Sequence, residues 1–289
     1  MLGLGLKLGK NIEKPSTQPY VSPLDAIMSK VWTSYGLTRH FEAVSESLRV
    51  RESAGSVETN IGTLSNGYFD SVSFSSFVGS NSGFCSRVYD QKASNVNSDL
   101  PQSTTTSQPQ VILTSNIDSK PALRFSNTRF ATSLVTATPT AIGTGDFELW
   151  VVCYPTSSTG TRCVGFLAGA IYFYSSTGVA SGGAGKPGFY NASGYNHFGG
   201  NVSANAKHIL RFYRVSGRLY CDVDGATMPS NFASTDNLVK AANYSWGETG
   251  GEQFAGDMSD FIIIRGSLTS SERDALKTHF STIYNIPVS

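Results

Sequence analysis

The sequence predicts an all-β fold, a two-sheet sandwich in one domain, on three observations. Short segments of alternating apolar and polar residues recur along the 289-residue chain. Polar turns rich in Gly, Ser, Thr and Asn separate them, and 17 Phe and 13 Tyr stand against only 15% charged residues, the composition of many short strands. Helical spacing is confined to the two ends, so helices are expected outside the sheets and not between their strands.

Taken in order, residues 1–23 form an arm. Leu2, Leu4, Leu6 and Leu8 of "GLGLKLG" share one face of an extended chain and have too little company to bury themselves. Pro15, Pro19 and Pro23 follow and hold the segment extended. The domain proper is expected over 24–289. In "PLDAIMSKVWTSYGLTRH" the spacing of Leu24, Ile27, Met28 and Val31 after Pro23 predicts an amphipathic helix.

Alternating segments follow: "LRVRES", "FSSFVG", "PALRFS", "DFELWVVCY", "FLAGAIYFYS", "KHILRFYRV", "GRLYCDVDG" and "SDFIIIRGSL". "FELWVVCY" is apolar on both faces and is expected to be a central strand. "ILRFYRV" and "RLYCDVDG" are separated only by Ser216-Gly217, which predicts a tight hairpin. Near the C-terminus, Thr269 and Glu272 form a capping box, and Leu276, Phe280 and Ile283 form one stripe of a helix that packs outside a sheet. Residues 94–110 are the longest polar stretch in the domain, and residues 92–110 are expected to be an exposed excursion.

The charge balance narrows the partners. With 22 basic and 21 acidic residues, a net charge of +1, there is no footprint for a phosphate backbone, so nucleic acid is not expected. No run reaches the roughly 20 apolar residues of a membrane span. The N-terminus lacks the basic start and apolar core of a signal peptide, so assembly in a cytoplasm is expected. Cys85, Cys153, Cys163 and Cys221 have no metal spacing and read as buried thiols. His40, His197, His208 and His279 are scattered, and "CDVDG" and "AGDMSD" lack the ordered oxygen ligands of a calcium loop; neither a metal nor a cofactor is expected.

Two regions carry candidate sites. "WGETGGEQ" sets Trp246 beside Glu248 and Glu252, and "FYNASGYNHFGGN" gathers Phe189, Tyr190, Tyr195, His197 and Phe198 among amides. Aromatic faces and amides together suit a saccharide, and they equally suit an oligomer interface. Trp246, Glu248, Tyr190, Tyr195 and His197 are the candidate sugar-binding residues. Asp90 of "YDQ" is added to them, with the fastening of turn amides as its other role.

"SYGLTRHFEAVSESLRVRESAGSVETNIG", followed by "FSSFVGSNSGFCSRVYDQKASNVNSDLPQSTTTSQPQV", resembles a module of tailed-bacteriophage virion proteins. "FAGDMSDFIIIRGSLTSSERDALKTHFSTIYNI" resembles the closing strand and helix of concanavalin A-like, laminin-G-like lectin domains. The match spans 24–289 and departs at Lys92-Ala93, where the module carries Ser-Gly. It implies a concanavalin A-like jelly roll with a short N-terminal and a C-terminal helix.

The role so implied is a structural virion protein: a decoration, head fibre or tail adhesin, assembled in the host cytoplasm and anchored to capsid or tail proteins by the Leu2–Leu8 arm. Symmetric display implies a homo-oligomer such as a trimer, and host surface glycans are the alternative partner of a receptor-recognition lectin. The first half is also similar to the arabinofuranosidase B catalytic-domain family of glycoside hydrolases. That family's nucleophile is a Glu after a strand with adjacent cysteines. "RCVGFLAGAIYFYS" offers only Cys163 and no carboxylate, while Glu248 is the nearest counterpart of the family's acid. The chain is therefore expected not to be an enzyme, with an arabinofuranosidase-like hydrolase as the second alternative.

Overall fold

The computed structural model describes residues 21–92, 99–126, 130–131, 142–167, 171–177, 183–238, 245–249 and 252–289. Two antiparallel sheets dominate. The large one is ordered Ala226–Thr227, Arg218–Val223, His208–Val215, Phe147–Pro155, Ala255–Arg265, Ala122–Ser126, Gln110–Ile112, Gly83–Val88, Glu46–Glu52, Glu58–Gly62. The small one is ordered Gly194–His197, Gly188–Asn191, Ile171–Thr177, Thr161–Leu167, Ser245–Trp246, Phe130–Ala131. The all-β sandwich expected from the sequence is the observed fold.

Phe147–Pro155 is central, as its two apolar faces predict. Leu149 and Val151 lie opposite Ile263 and Phe261 and join Phe173, Phe189 and Phe212 in the core between the sheets. Trp150 and Val152 face the other way and meet Ile262, Leu276, Phe280 and Tyr284 beneath the helix Ser270–Tyr284. That helix starts on the expected capping box, with Thr269 and Glu272 each capping the other's backbone N–H. The Ser216-Gly217 hairpin forms with φ of 51° and 73°, a turn whose backbone twist matches that of the flanking strands.

Three expectations need correction. The N-terminal helix is a single 3-10 turn, Asp25–Ile27, followed by a strand, Val31–Gly36. Leu24 and Ile27 do reach the outer core, but Val31 and Tyr35 pair with Ile264 and Phe261. Ala122–Ser126 covers the edge of Ala255–Arg265 only as far as Met258; without Val31–Gly36 the buried backbone beyond would lack partners. Conversely, "FSSFVG" lies in a helix, Ser71–Val78, whose N-cap Asp70 accepts from the Ser73 amide at 2.9 Å. Phe74 and Val78, one turn apart, are its buried residues.

The polar stretch 94–110 is not simply exposed. Residues 93–98 lie outside the described residues, but Leu100, Gln102 and Gln108 are buried. Gln108 donates to the Gln102 carbonyl and accepts from Arg51 Nε, both at 2.8 Å.

The "YDQ" motif anchors the neighbouring loop. Gln91 Oε1 accepts from the His40 amide at 2.8 Å, and its Nε2 donates to the carbonyls of Gly36 and Thr38 at 2.8 and 2.9 Å. The loop so held places His40 between Ser34 Oγ and Asp260, with Nε2 2.7 Å from Oδ1. Thr38 and Tyr284 also donate to Asp260. Burial pushes this carboxyl up, and the hydrogen bonds and charge of His40 with those hydroxyls outweigh it, leaving the group below the usual carboxylate range. The Ser-His-Asp array resembles a hydrolytic triad in composition, but all three residues are fully buried, so it fastens the loop and the C-terminal helix to the sheet. Gly36 is required beside it, because a Cβ there would stand 2.1 Å from Asp260 Oδ1.

Candidate functional site

A cluster of tyrosines covers the outer face of the small sheet. In Ile171–Thr177 strict alternation sends Phe173 into the core and puts Tyr172 and Tyr174 on the opposite face. Tyr172 lies across from Tyr190, and Tyr190 across from Tyr195. The ring centroids are 5.6 Å apart in the first pair and 4.8 Å in the second, within the range of attractive ring contacts. Tyr190 and Tyr195 are 38% and 41% exposed, unusual for large aromatic side chains that already pack on one another.

A carboxylate reaches this face from the adjoining two-stranded ladder of Glu248–Thr249 and Glu252–Gln253. Glu252 accepts from Tyr174 Oη at 2.5 Å and from Tyr195 Oη. Burial, then the Cys163 thiol and Glu252 itself, push the Tyr174 phenol far above its usual range, so Tyr174 stays protonated and donates. A carboxylate has about four lone-pair positions. With two tyrosine donors in place, Glu252 retains acceptor capacity for hydroxyl groups on a ligand.

Of the residues expected to bind sugar, the structure brings Tyr190, Tyr195 and His197 together on one hairpin, Gly188–Asn191 with Gly194–His197. Trp246 is not with them. It is 0% exposed, packs on Phe125 and Phe261 and directs Nε1 at Met258 Sδ, so its assignment to a sugar loop is corrected to a core role. Its strand pairs with Thr161–Leu167 inside the small sheet, which turns the indole inward.

Asp90 is elsewhere as well. Its Oδ1 accepts from the Ser34 and Lys92 amides, both at 3.0 Å, and it is 8% exposed; the turn-fastening role is the one observed. Glu248 pairs with Gln253 through the backbone, and its side chain lies outside the described residues, as do Leu2, Leu4, Leu6 and Leu8 of the arm. Cys85, Cys153, Cys163 and Cys221 are buried thiols.

Glu252, Tyr172 and Tyr174 were not among the expected site residues. The period-2 pattern of "IYFYS" places the two tyrosines on one face. Glu252 lies in the "WGETGGEQ" turn already singled out, but its partners are 57 and 78 positions away, so no local pattern shows which face it joins.

Neither family models nor curated protein sequences match this chain. Solved structures do. A GH54 α-L-arabinofuranosidase soaked with a cyclic sulfate inhibitor superposes with a TM-score of 0.70 at 14% identity, covering 91% of this chain and 66% of that one. An arabinofuranosidase complexed with arabinofuranosyl-α-1,2-xylobiose gives 0.68 at 12% identity, covering 91% and 65%. The chain thus spans just under two-thirds of those enzymes' length, and the likeness is one of fold. It overturns the expectation of a non-enzyme drawn from the missing carboxylate after Cys163: nine-tenths of the chain follows the fold of a glycoside hydrolase.

Proposed function

We propose that this chain is a carbohydrate-active β-sandwich that holds a saccharide on the tyrosine face of its small sheet. The observation that carries the reading is the exposed Tyr190–Tyr195 pair with Glu252 hydrogen-bonded beside it. Ring faces stack on the C–H face of a sugar while the carboxylate accepts from its hydroxyls. Arabinofuranosyl-bearing oligosaccharides are the first ligands to test, since one structure of the same fold was solved with such a sugar.

Titration calorimetry with arabinoxylo-oligosaccharides is expected to show binding that Tyr190→Ala and Tyr195→Ala each weaken at least tenfold. No binding to any neutral saccharide on a glycan array would refute the reading. A second reading is hydrolysis, with Glu252 as one of the two carboxyl groups such chemistry requires. It is supported by the placement of Glu252 on the exposed face and is tested by turnover of a chromogenic arabinofuranoside that Glu252→Gln abolishes.

The virion setting rests on the sequence resemblance alone. In that setting the tyrosine face is the receptor-recognition surface of a homo-oligomeric adhesin or decoration protein, anchored by the N-terminal arm. Deleting residues 1–22 is then expected to give a folded domain that no longer joins particles; a truncated chain that still assembles would overturn the anchor.

A further inference from the structure

We infer that the groove at the rim of the small sheet, beside the tyrosine face, is a second subsite that takes an acidic sugar residue. The inference rests on the saccharide-binding reading above and extends it to ligand class. Gly194–His197 is the edge strand of the small sheet. Along that edge a cavity of about 460 Å³ is lined by Tyr195, His197, Asn196, Lys186, Ser230 and Phe232. Its size falls within the roughly 300–1,000 Å³ of ligand pockets.

The geometry makes the groove continuous with the tyrosine face. Tyr195 pairs outward with Tyr190, whereas Asn196 pairs with Phe189, which belongs to the core between the sheets. Successive residues of a strand point to opposite faces, so the edge strand sends Tyr195 to one side of the sheet and Asn196 to the other. Phe232 pairs with Leu219 of the large sheet. The groove therefore runs over the rim between the two sheets, with Tyr195 common to both regions. An oligosaccharide stacked on Tyr190 and Tyr195 has its next residue at the groove.

The two regions differ in charge. Glu252 makes the tyrosine face acidic. The groove carries an ammonium and an imidazole and no carboxylate. Lys186 is half-buried and makes no ion pair with a described residue, and the His197 ring makes no hydrogen bond with one. A Lys ammonium is a compact point charge that an anionic group satisfies. Asn196 and Ser230 supply the donors and acceptors that read sugar hydroxyls, and Phe232 offers a ring face. A neutral residue at the tyrosine face followed by an anionic one in the groove is the ligand this pattern fits. Uronate carboxylates and sulfate esters share that chemistry.

The test is calorimetry on the full chain with three matched ligands: a neutral arabinoxylo-oligosaccharide, the same oligosaccharide carrying a glucuronosyl residue, and a sulfated counterpart. The acid-bearing ligands are expected to bind at least fivefold tighter at low salt, with most of that preference lost at 0.5 M NaCl. Whichever of the two is preferred identifies the anionic group. Lys186→Gln is expected to erase the preference while leaving neutral binding unchanged, and Ser230→Asp, which puts a carboxylate in the groove, to reverse it. Equal affinity for neutral and acidic ligands would overturn the groove and leave the tyrosine face standing; no binding of any of the three would overturn both.

Discussion

Gln91→Leu removes a fully buried amide while keeping much of its volume, and its cost is set by what the amide leaves behind. Three groups lose a partner: the His40 amide and the carbonyls of Gly36 and Thr38. The Gly36 carbonyl also accepts from Ser47 Oγ at 2.6 Å, so it stays bonded and contributes little. Two orphaned buried groups at ~1–3 kcal/mol each give a loss of about 2–6 kcal/mol. That is a large part of the ~5–15 kcal/mol that holds a domain together.

Urea unfolding followed by tryptophan fluorescence measures the loss as a shift in midpoint at constant slope. Gln91→Glu supplies an internal check. Its carboxylate would face the two carbonyls in a buried site, so its folded-state pKa lies above the unfolded value of about 4.3. The folded state then binds more protons, and the deficit is smallest below pH ~4 and grows as pH rises toward 7; the Leu variant's deficit carries no such slope. A Leu variant within 1 kcal/mol of the parent chain would refute the claim that the "YDQ" motif fastens the 34–40 loop.

Two further outcomes follow from the same reasoning. Burial, and then the nearby His40, lower the His279 pKa to about 4. The unfolded chain therefore takes up the proton first, and stability is expected to fall by roughly 2–3 kcal/mol as pH drops from about 6.5 to about 4. His279→Gln should flatten that part of the curve, and an unchanged pH profile would show that the ring is solvated. Trp246→Ala is expected to cost about 3–5 kcal/mol as a large core truncation. The milder Trp246→Phe should leave the saccharide affinity of the folded protein unchanged, and a tenfold weaker affinity would return the indole to the binding site.

Local patterns carried much of the fold. Thr269 and Glu272 announced a helix start because a capping box is complete within four residues. Ser216-Gly217 announced a hairpin because its turn needs only two residues. Phe147–Pro155 announced a central strand because apolar residues on both faces can be buried only with layers on both sides. Where local and distant partners competed, the sequence misled. Leu24 to Val31 has helical spacing, yet the open edge of Ala255–Arg265 draws Val31–Gly36 into the sheet. "FSSFVG" passes for an alternating strand, but Asp70 caps it as a helix.

The candidate site divides along the same line. By itself the sequence gathered Tyr190, Tyr195 and His197 into one short segment of aromatic and amide residues, because their separation is short; the hairpin that sets them side by side belongs to the structure. Only the tertiary structure decided that Trp246 is core, that Asp90 fastens a turn, and that Glu252 joins Tyr174 and Tyr195 across 78 and 57 positions. These outcomes depend on which strands neighbour one another and which face meets the other sheet. Packing of the whole chain sets both, and no window of sequence contains the partners that do it.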